Sequence, residues 1–485
     1  MKLMLVNPPD DMVLLMASHA SPMPSVEPLG LLYVAAMARE RGHDVTVIDA
    51  CAEGLDSDAL WHRIEEAGPD VIGFSALTSN GGFLHTFGKA LKKQYPELRV
   101  VFGNIHASVY AEPYLRNGCC DAVIHGEGEY VFADLLDAFA GRRSLQSVDS
   151  LSFLERGQFV TTSGPAVVTD LAGLGLPARD MVSEKNYPGS NHGYSLYRVR
   201  KGKKTKHMFT SRGCINRCSF CVVHHNQRIR LNKVESVVRE MEVLIREHDA
   251  GYIFFTDPLF TNKKTHLLRL CDEIRSSNLG VKWGCAAHIG FIDETVVRAM
   301  EAAGCRDMNF GIESGVDRLL KNVNKRLTIR RTEETLKMVK RHSHIHCIGL
   351  FILGIPGETP ADTEDTIEFA RHLPLDAVQF SVMTPYPGSP FFNELREKEE
   401  IDDGVRPDGT IDTRQWLRYS AALTGSGADP VWTAASYTAE TLATYEKRAY
   451  KRFYLRPRIL WKQFRHLQAI EIPPFLASLQ QLAFS

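Results

Sequence analysis

The sequence predicts an α/β protein of two strand-and-helix modules: an N-terminal doubly wound parallel sheet, then a partial (β/α)6 barrel, then a mainly helical C-terminal segment. Two observations carry this. Short apolar runs without polar alternation recur along the chain and read as strands covered on both faces. Segments of helical period separate them, which is the pattern of parallel strands joined by crossover helices.

The first module is read from eight such pieces. KLMLVN (2–7) is a buried strand, PLGLLYVAAMARERG (28–42) an amphipathic helix ended by glycine, and DVTVIDA (44–50) a second strand. A helix near 57–66, a strand at 70–76, a helix near 83–95, and strands at 98–104 and 121–129 follow. Open parallel sheets bind ligands beyond the carboxyl ends of their strands. The candidate ligand loops are therefore Asn7 to Pro9, Ser75 to Thr78, Gly103 to His106 and Gly126 to Glu129.

Between about 140 and 205 the alternation weakens, and SLSFLERGQFVTT reads as a hairpin within a linker. The basic run RKGKKTKH (200–207) is either a solvated loop or a patch for an acidic ligand. From 206 the alternation returns, with six strands (207–211, 251–257, 281–287, 307–313, 346–354 and 377–383) separated by helices near 233–248, 263–277, 293–303, 330–342 and 361–372. Six units make a partial barrel with its working face at the strand C-termini. The expected domains are 1–140, a linker 141–205, the barrel 206–390 and a C-terminal segment 391–485. In that last segment 438–467 reads as a helix with many basic and aromatic residues, either packed over the barrel or turned to a surface.

Composition narrows the function. Lys+Arg number 57 and Asp+Glu 58, a net charge of −1, so no basic excess points to nucleic acid. No apolar run is long enough to span a bilayer and no secretory leader is recognisable, so the expectation is a cytoplasmic protein with no membrane partner. Seven of the 10 cysteines are scattered without a disulfide framework, consistent with a reducing compartment.

The other three stand together. Cys214, Cys218 and Cys221 lie in SRGCINRCSFC, directly after the first barrel strand. Three thiolates at C-x3-C-x2-C spacing can bind three irons of a [4Fe–4S] cube and leave the fourth open to a small molecule. A structural zinc site with His224 or His225 as a fourth ligand is the alternative on spacing alone.

With these residues the chain resembles the radical S-adenosylmethionine (SAM) superfamily, and within it the subgroup with an N-terminal cobalamin-binding-type domain. The resemblance implies that the cluster's open iron chelates SAM, whose reductive cleavage yields a 5′-deoxyadenosyl radical. Phe220 is similar to the residue that packs on adenine. FFTDPLFTNK resembles the stretch contacting the SAM amino group, with Thr256 and Asp257 as polar candidates; an N-cap is the plainer role for Asp257. NFGIESG resembles the ribose-contacting strand, which places Glu313 and Ser314 near the sugar, although a barrel-interior ion pair also suits Glu313. GIPGET resembles the turn lying against adenine, with Gly354 and Gly357 as backbone donors or as plain turn glycines.

EPLGLLYVAA, GHDVTVIDA, VIGFSALTSN, VVFGNIHAS and DAVIHGEGE resemble the cobalamin-binding pieces in the same order. The resemblance implies cobalamin contacts at Ser75, Thr78, Gly103, His106, Gly126 and Glu127. The D-x-H-x-x-G loop that supplies a lower cobalt ligand elsewhere is absent, and Asn104 replaces its usual second glycine. The implied activity is cobalamin-dependent C-methylation of a small, secondary-metabolite-like molecule, with electrons from a flavodoxin, ferredoxin or reductase. The alternative is a cobalamin-independent dehydratase or epimerase on a sugar-like substrate, with a vestigial cobalamin-type domain.

Overall fold

A computed structural model describes residues 1–10, 26–187, 195–197, 199, 202–225, 228–422 and 429–464. The chain forms two compact units, one of Met1–Ser190, Arg230–Ser236 and Pro385–Ser420, the other of Asn191–Ile229, Val237–Thr384 and Ala421–Ser485.

In the first unit, strands β1 (Lys2–Asn7), β2 (Asp44–Asp49), β3 (Val71–Ser75), β4 (Arg99–Gly103) and β5 (Ala122–Ile124) are parallel in the order β2-β1-β3-β4-β5. The order reverses between β1 and β3, the switch point where ligands of such sheets bind. Leu3 to Val6 of β1 are each at most 1% exposed, so both faces of the sheet are covered. One face packs Leu3, Leu5, Val71 and Val101 against Leu32 and Ala35 of helix Leu29–Glu40 and Phe132 and Leu135 of helix Gly128–Phe139. The other sets Phe74 edge-on to Phe87 of helix Gly81–Gln94. Each fully buried side chain of this kind contributes about 1.5–3 kcal/mol. Helix Ser57–Ala67 begins where Asp56 accepts a 2.8 Å bond from the Ala59 N–H and ends at left-handed Gly68.

Three features differ from expectation. Two short helices, Asn104–Val109 and Ala111–Arg116, fill the gap before β5; each is under two turns, too short to print a helical period. The expected strand at 121–129 stops at Ile124, because Gly126 turns the chain at φ +80 and Gly128 starts a helix. The stretch read as a linker joins the fold: hairpin β6 (Leu151–Glu155) and β7 (Gln158–Thr161) extends the sheet antiparallel beside β5. Farther on, the Tyr187 hydroxyl donates to Asp49 at 2.7 Å.

The second unit has strands β8 (Lys204–Met208), β9 (Ala250–Phe255), β10 (Lys282–Ala287), β11 (Cys305–Glu313), β12 (His346–Leu353) and β13 (Ala377–Val382), all parallel and side by side in chain order. Helices Val234–Glu247, Lys264–Ser276, Glu294–Ala302, Ile329–His342 and Pro360–His372 connect them, giving the expected partial barrel. Short helix Asp317–Asn322 is an addition after β11. Near the start of β11, fully buried Asp307 accepts from Ser195 Oγ (2.8 Å), the Leu196 N–H (3.0 Å) and Tyr252 Oη (2.7 Å), and pairs with His346 Nδ1 (3.0 Å). That is the structural end of a barrel.

An unclosed barrel leaves strand edges. At β13, helix Ala439–Tyr454 supplies two tyrosine hydroxyls as a substitute strand. Tyr450 Oη accepts from the Phe380 N–H (3.0 Å) and donates to its carbonyl (3.2 Å); Tyr454 Oη does the same at Val378 (3.1 and 2.8 Å). Paired edge groups no longer template another chain. No helix among the described residues is long and apolar enough to cross a membrane. Arg200, Lys201 and residues 465–467 of the expected basic and helical segments lie outside the described residues.

Candidate active site

The cysteine loop leaves the C-terminal end of β8 through left-handed Gly213. Cys218 is buried; Cys214 and Cys221 are half-buried. The Cys221 N–H donates to the Cys218 carbonyl at 3.1 Å, which folds the second half of the motif into a turn. The three thiols act on one another electrostatically. Burial pushes Cys218 up to about 11 and also raises Cys221, while Lys325 lowers both. Among the described residues no group of three His, Cys, Asp or Glu side chains is gathered as a metal site. The donor set fits an iron–sulfur cluster, whose ligands are thiolates and whose iron would replace the protons that burial favours. The side chains of His224 and His225 lie outside those described.

Asp257 is bound by donors of the cysteine loop. It is 1% exposed, and its two oxygens accept from the Thr210 N–H (2.7 Å), the Thr210 hydroxyl and Ser211 Oγ (2.7 Å). It therefore clamps the start of the cysteine loop. Burial raises its carboxyl to about 6, with the Thr210 and Ser211 bonds acting the other way. Thr256 donates its hydroxyl to the Met208 carbonyl at 3.1 Å. Phe220 is half-buried in the loop itself.

Glu313 is the interior ion pair. Its Oε1 accepts from Lys325 Nζ at 2.6 Å, and both side chains are at least nine-tenths buried. Burial opposes the lysine charge, but Glu313 and the thiols outweigh it and hold Lys325 above the ordinary lysine value. Ser314 is buried, and its hydroxyl bonds Thr366 Oγ1 (3.1 Å) and the Val316 N–H (3.1 Å). The GIPGET turn has left-handed Gly354 and Gly357, and it is held by side chains. Glu358 accepts from the Ile355 N–H (2.7 Å), Asn322 donates to the Pro356 carbonyl (2.9 Å) and Arg318 to the Gly357 carbonyl (2.9 Å).

In the first unit the candidate cobalamin residues separate into two groups. Ser75, Gly103 and Asn104 line the C-terminal rim of β3 and β4. Among the described residues a Cβ at Gly103 would meet nothing within 4 Å, Leu77 beside it is 39% exposed, and Asn104 is exposed at φ +78. That left-handed position favours glycine, and asparagine is among the few other residues that tolerate it. An open rim with one apolar and one amide side chain fits the face of a corrin.

His106, Thr78, Gly126 and Glu127 are instead engaged by neighbouring side chains and backbone. His106 is fully buried in a box of Tyr110 (4.7 Å), Tyr114 (5.9 Å) and Trp416 (4.5 Å), with Nδ1 on Thr78 Oγ1 at 3.2 Å. Burial holds it neutral, its value pushed down to about 3. A ring enclosed in this way has no open face for a cobalt. Glu127 is held by Arg230 in a two-pronged pair (2.6 and 2.7 Å) and by the Val168 N–H (2.7 Å). A Cβ on Gly126 would stand 2.4 Å from the Ala166 carbonyl oxygen.

Sequence reasoning missed Lys325, Arg230 and Trp416. Lys325 lies 12 residues past Glu313 and Arg230 lies 103 past Glu127, beyond any local pattern.

A thiol triad after the first strand of a partial barrel, together with an open-rimmed parallel sheet, defines a cluster-dependent radical enzyme with a cofactor-binding module. Residues 20–136 match the B12 binding domain family and residues 208–370 the radical SAM superfamily. An uncharacterized methyltransferase of Pyrococcus horikoshii, PH0819, is 31% identical over 471 residues, 96% of this chain and 95% of that one. An anaerobic magnesium-protoporphyrin IX monomethyl ester cyclase of Rubrivivax gelatinosus is 27% identical over 385 residues, 78% of this chain and 67% of that one. The solved radical SAM methyltransferase TsrM of Kitasatospora setae, with cobalamin and a [4Fe–4S] cluster bound, shares the fold: TM-score 0.67, 20% identity, 94% of this chain and 89% of that one. The chain belongs to the radical SAM superfamily, in the subgroup with an N-terminal B12 binding domain. It is an enzyme whose cofactors are a [4Fe–4S] cluster, SAM and cobalamin.

Proposed function

We propose that the chain methylates a carbon atom of a small, secondary-metabolite-like molecule. The observation that carries this reading is the full-length alignment with the P. horikoshii methyltransferase, spanning a B12 binding domain and a radical SAM domain in one chain. When bound, the cluster and SAM supply the methyl group and a hydrogen-abstracting radical, and cobalamin carries the methyl. Cys214, Cys218 and Cys221 hold the cluster, and Asp257 fixes the start of their loop. Phe220, Thr256 and the Gly354 to Gly357 turn offer SAM a ring, a hydroxyl and backbone. Ser75 and Gly103, with Leu77 and Asn104, offer the corrin its rim. A small one-electron carrier such as flavodoxin or ferredoxin supplies the electrons.

The test is anaerobic reconstitution with cobalamin, methyl-labelled SAM, a reductant and a small-molecule extract of the producing cells. Label in a new carbon–methyl bond supports the reading. Protein that retains no cobalamin and transfers no label refutes it. The 27% identity to a cyclase favours radical cyclisation as the second reading; 5′-deoxyadenosine with an unlabelled, ring-closed product would select it.

A further inference from the structure

Lys325 has no role in the expectations above, yet its surroundings are costly to build. Among the described residues, Glu313 (φ +67), Asn324 (φ +54) and Arg326 (φ +51) are all left-handed, so strained backbone lies at the pair's acid and on both sides of its lysine. Such positions cost on the order of 1–3 kcal/mol each and persist where surrounding structure imposes them. The interior is also cleared for the pair. A Cβ on Gly311 would stand 2.5 Å from Glu313 Oε1 and 2.8 Å from Lys325 Nζ. A buried ion pair is a weak source of stability, because desolvation of both charges offsets their attraction.

The cysteine loop is tied to the same turn. The Ser219 N–H, next to Cys218, donates to the Val323 carbonyl at 3.1 Å, two residues before Lys325. The turn that carries this carbonyl also carries Lys325, whose buried ammonium Glu313 holds at 2.6 Å. A fixed positive charge beside a cluster favours its more negative, reduced form, and cluster potentials respond to local charge and to burial.

We propose that Lys325 is a positioning residue that raises the reduction potential of the cluster on Cys214, Cys218 and Cys221, with Glu313 holding its ammonium in place and partly offsetting it. The inference rests on the assignment of that cluster, and it adds a role for two side chains outside the ligand set.

The test is a redox titration, followed by electron paramagnetic resonance, of the anaerobically reconstituted full chain. Lys325→Met should move the midpoint to more negative potential by at least tenfold in the one-electron equilibrium, which is about 59 mV. Lys325→Arg should stay near the wild type. Glu313→Gln, which removes the offsetting charge and keeps an acceptor, should move the midpoint the other way. Opposite signs mark an electrostatic role, because loss of packing would disturb both variants alike. Unshifted midpoints, or shifts of Lys325→Met and Glu313→Gln in the same direction, overturn the proposal. If Lys325→Met takes up no cluster, the Glu313→Gln midpoint alone decides. Iron and sulfide content of the wild type is read separately: a wild type without a cluster refutes the assignment beneath.

Discussion

Asp257→Ala removes the acceptor for three donors that begin the cysteine loop: the Thr210 N–H, the Thr210 hydroxyl and Ser211 Oγ. Each buried donor left without a partner costs about 1–3 kcal/mol. Water entering the space of the lost carboxylate recovers part of that, so the expected loss is about 3–5 kcal/mol. For a unit of this size 1 kcal/mol moves the melting temperature by roughly 2–4 °C, so the drop is on the order of 6–20 °C. Asp257→Asn keeps one acceptor and the shape, at a cost of about 1–2 kcal/mol. The pH dependence has a definite sign. The carboxyl is raised to about 6 in the fold from an ordinary 3.8. Its contribution is therefore greatest below pH 4 and is lost as pH rises through 6, by about 3 kcal/mol in all. The asparagine variant lacks that slope, so its deficit against the wild type should be larger at pH 4.5 than at pH 7. The assay is thermal unfolding at both pH values, with iron per chain after reconstitution. An alanine variant that melts within a degree of the wild type and loads full iron would refute the clamp.

Three further outcomes follow from the geometry. His106 is held neutral with its value near 3 against an ordinary 6.5, so its contribution is complete above pH 6.5 and is lost as pH falls, by about 5 kcal/mol near pH 3. His106→Phe should shift the acid transition of Trp fluorescence to lower pH and leave cobalamin binding at pH 7 intact; loss of cobalamin would return His106 to the cofactor site. Tyr450→Phe and Tyr454→Phe each unpair an N–H and a carbonyl of β13, at about 1–2 kcal/mol each. Hydrogen exchange at Phe380 and Val378 should accelerate, and the double variant should scatter light on concentration; unchanged exchange would deny the capping role. Gly311→Ala crowds the Glu313–Lys325 pair and should cost about 1–3 kcal/mol, read as a lower melting temperature of the second unit; an unchanged melt would show that the pair moves freely.

The strands and their crossovers were legible because parallel sheets covered on both faces need continuous apolar runs, as in Leu3 to Val6. The cysteine triad was legible because its ligands share one short loop. What sequence could not show was the partner of each polar side chain. Asp257 reaches donors 47 residues back, and Glu127 an arginine 103 residues on. A carboxylate that clamps a loop and one that meets a ligand have the same letter and the same place after a strand; only the direction of the side chain separates them. The left-handed angle of Asn104 was half legible, since asparagine there replaces an expected glycine and keeps its backbone conformation.

The aromatic box around His106 also sets how this chain can be divided. Trp416 closes the box, and it belongs to the stretch Pro385–Ser420, which is made only after all six barrel strands. On the ribosome the first sheet can pair its strands early, but its box waits for the barrel to be synthesised. A fragment ending at Ser190 would leave Tyr110, Tyr114 and a protonatable imidazole uncovered. The two cofactor modules are stitched rather than strung together: no single cut yields either one whole, and recombination that exchanges one for a foreign counterpart has to respect three segments at once.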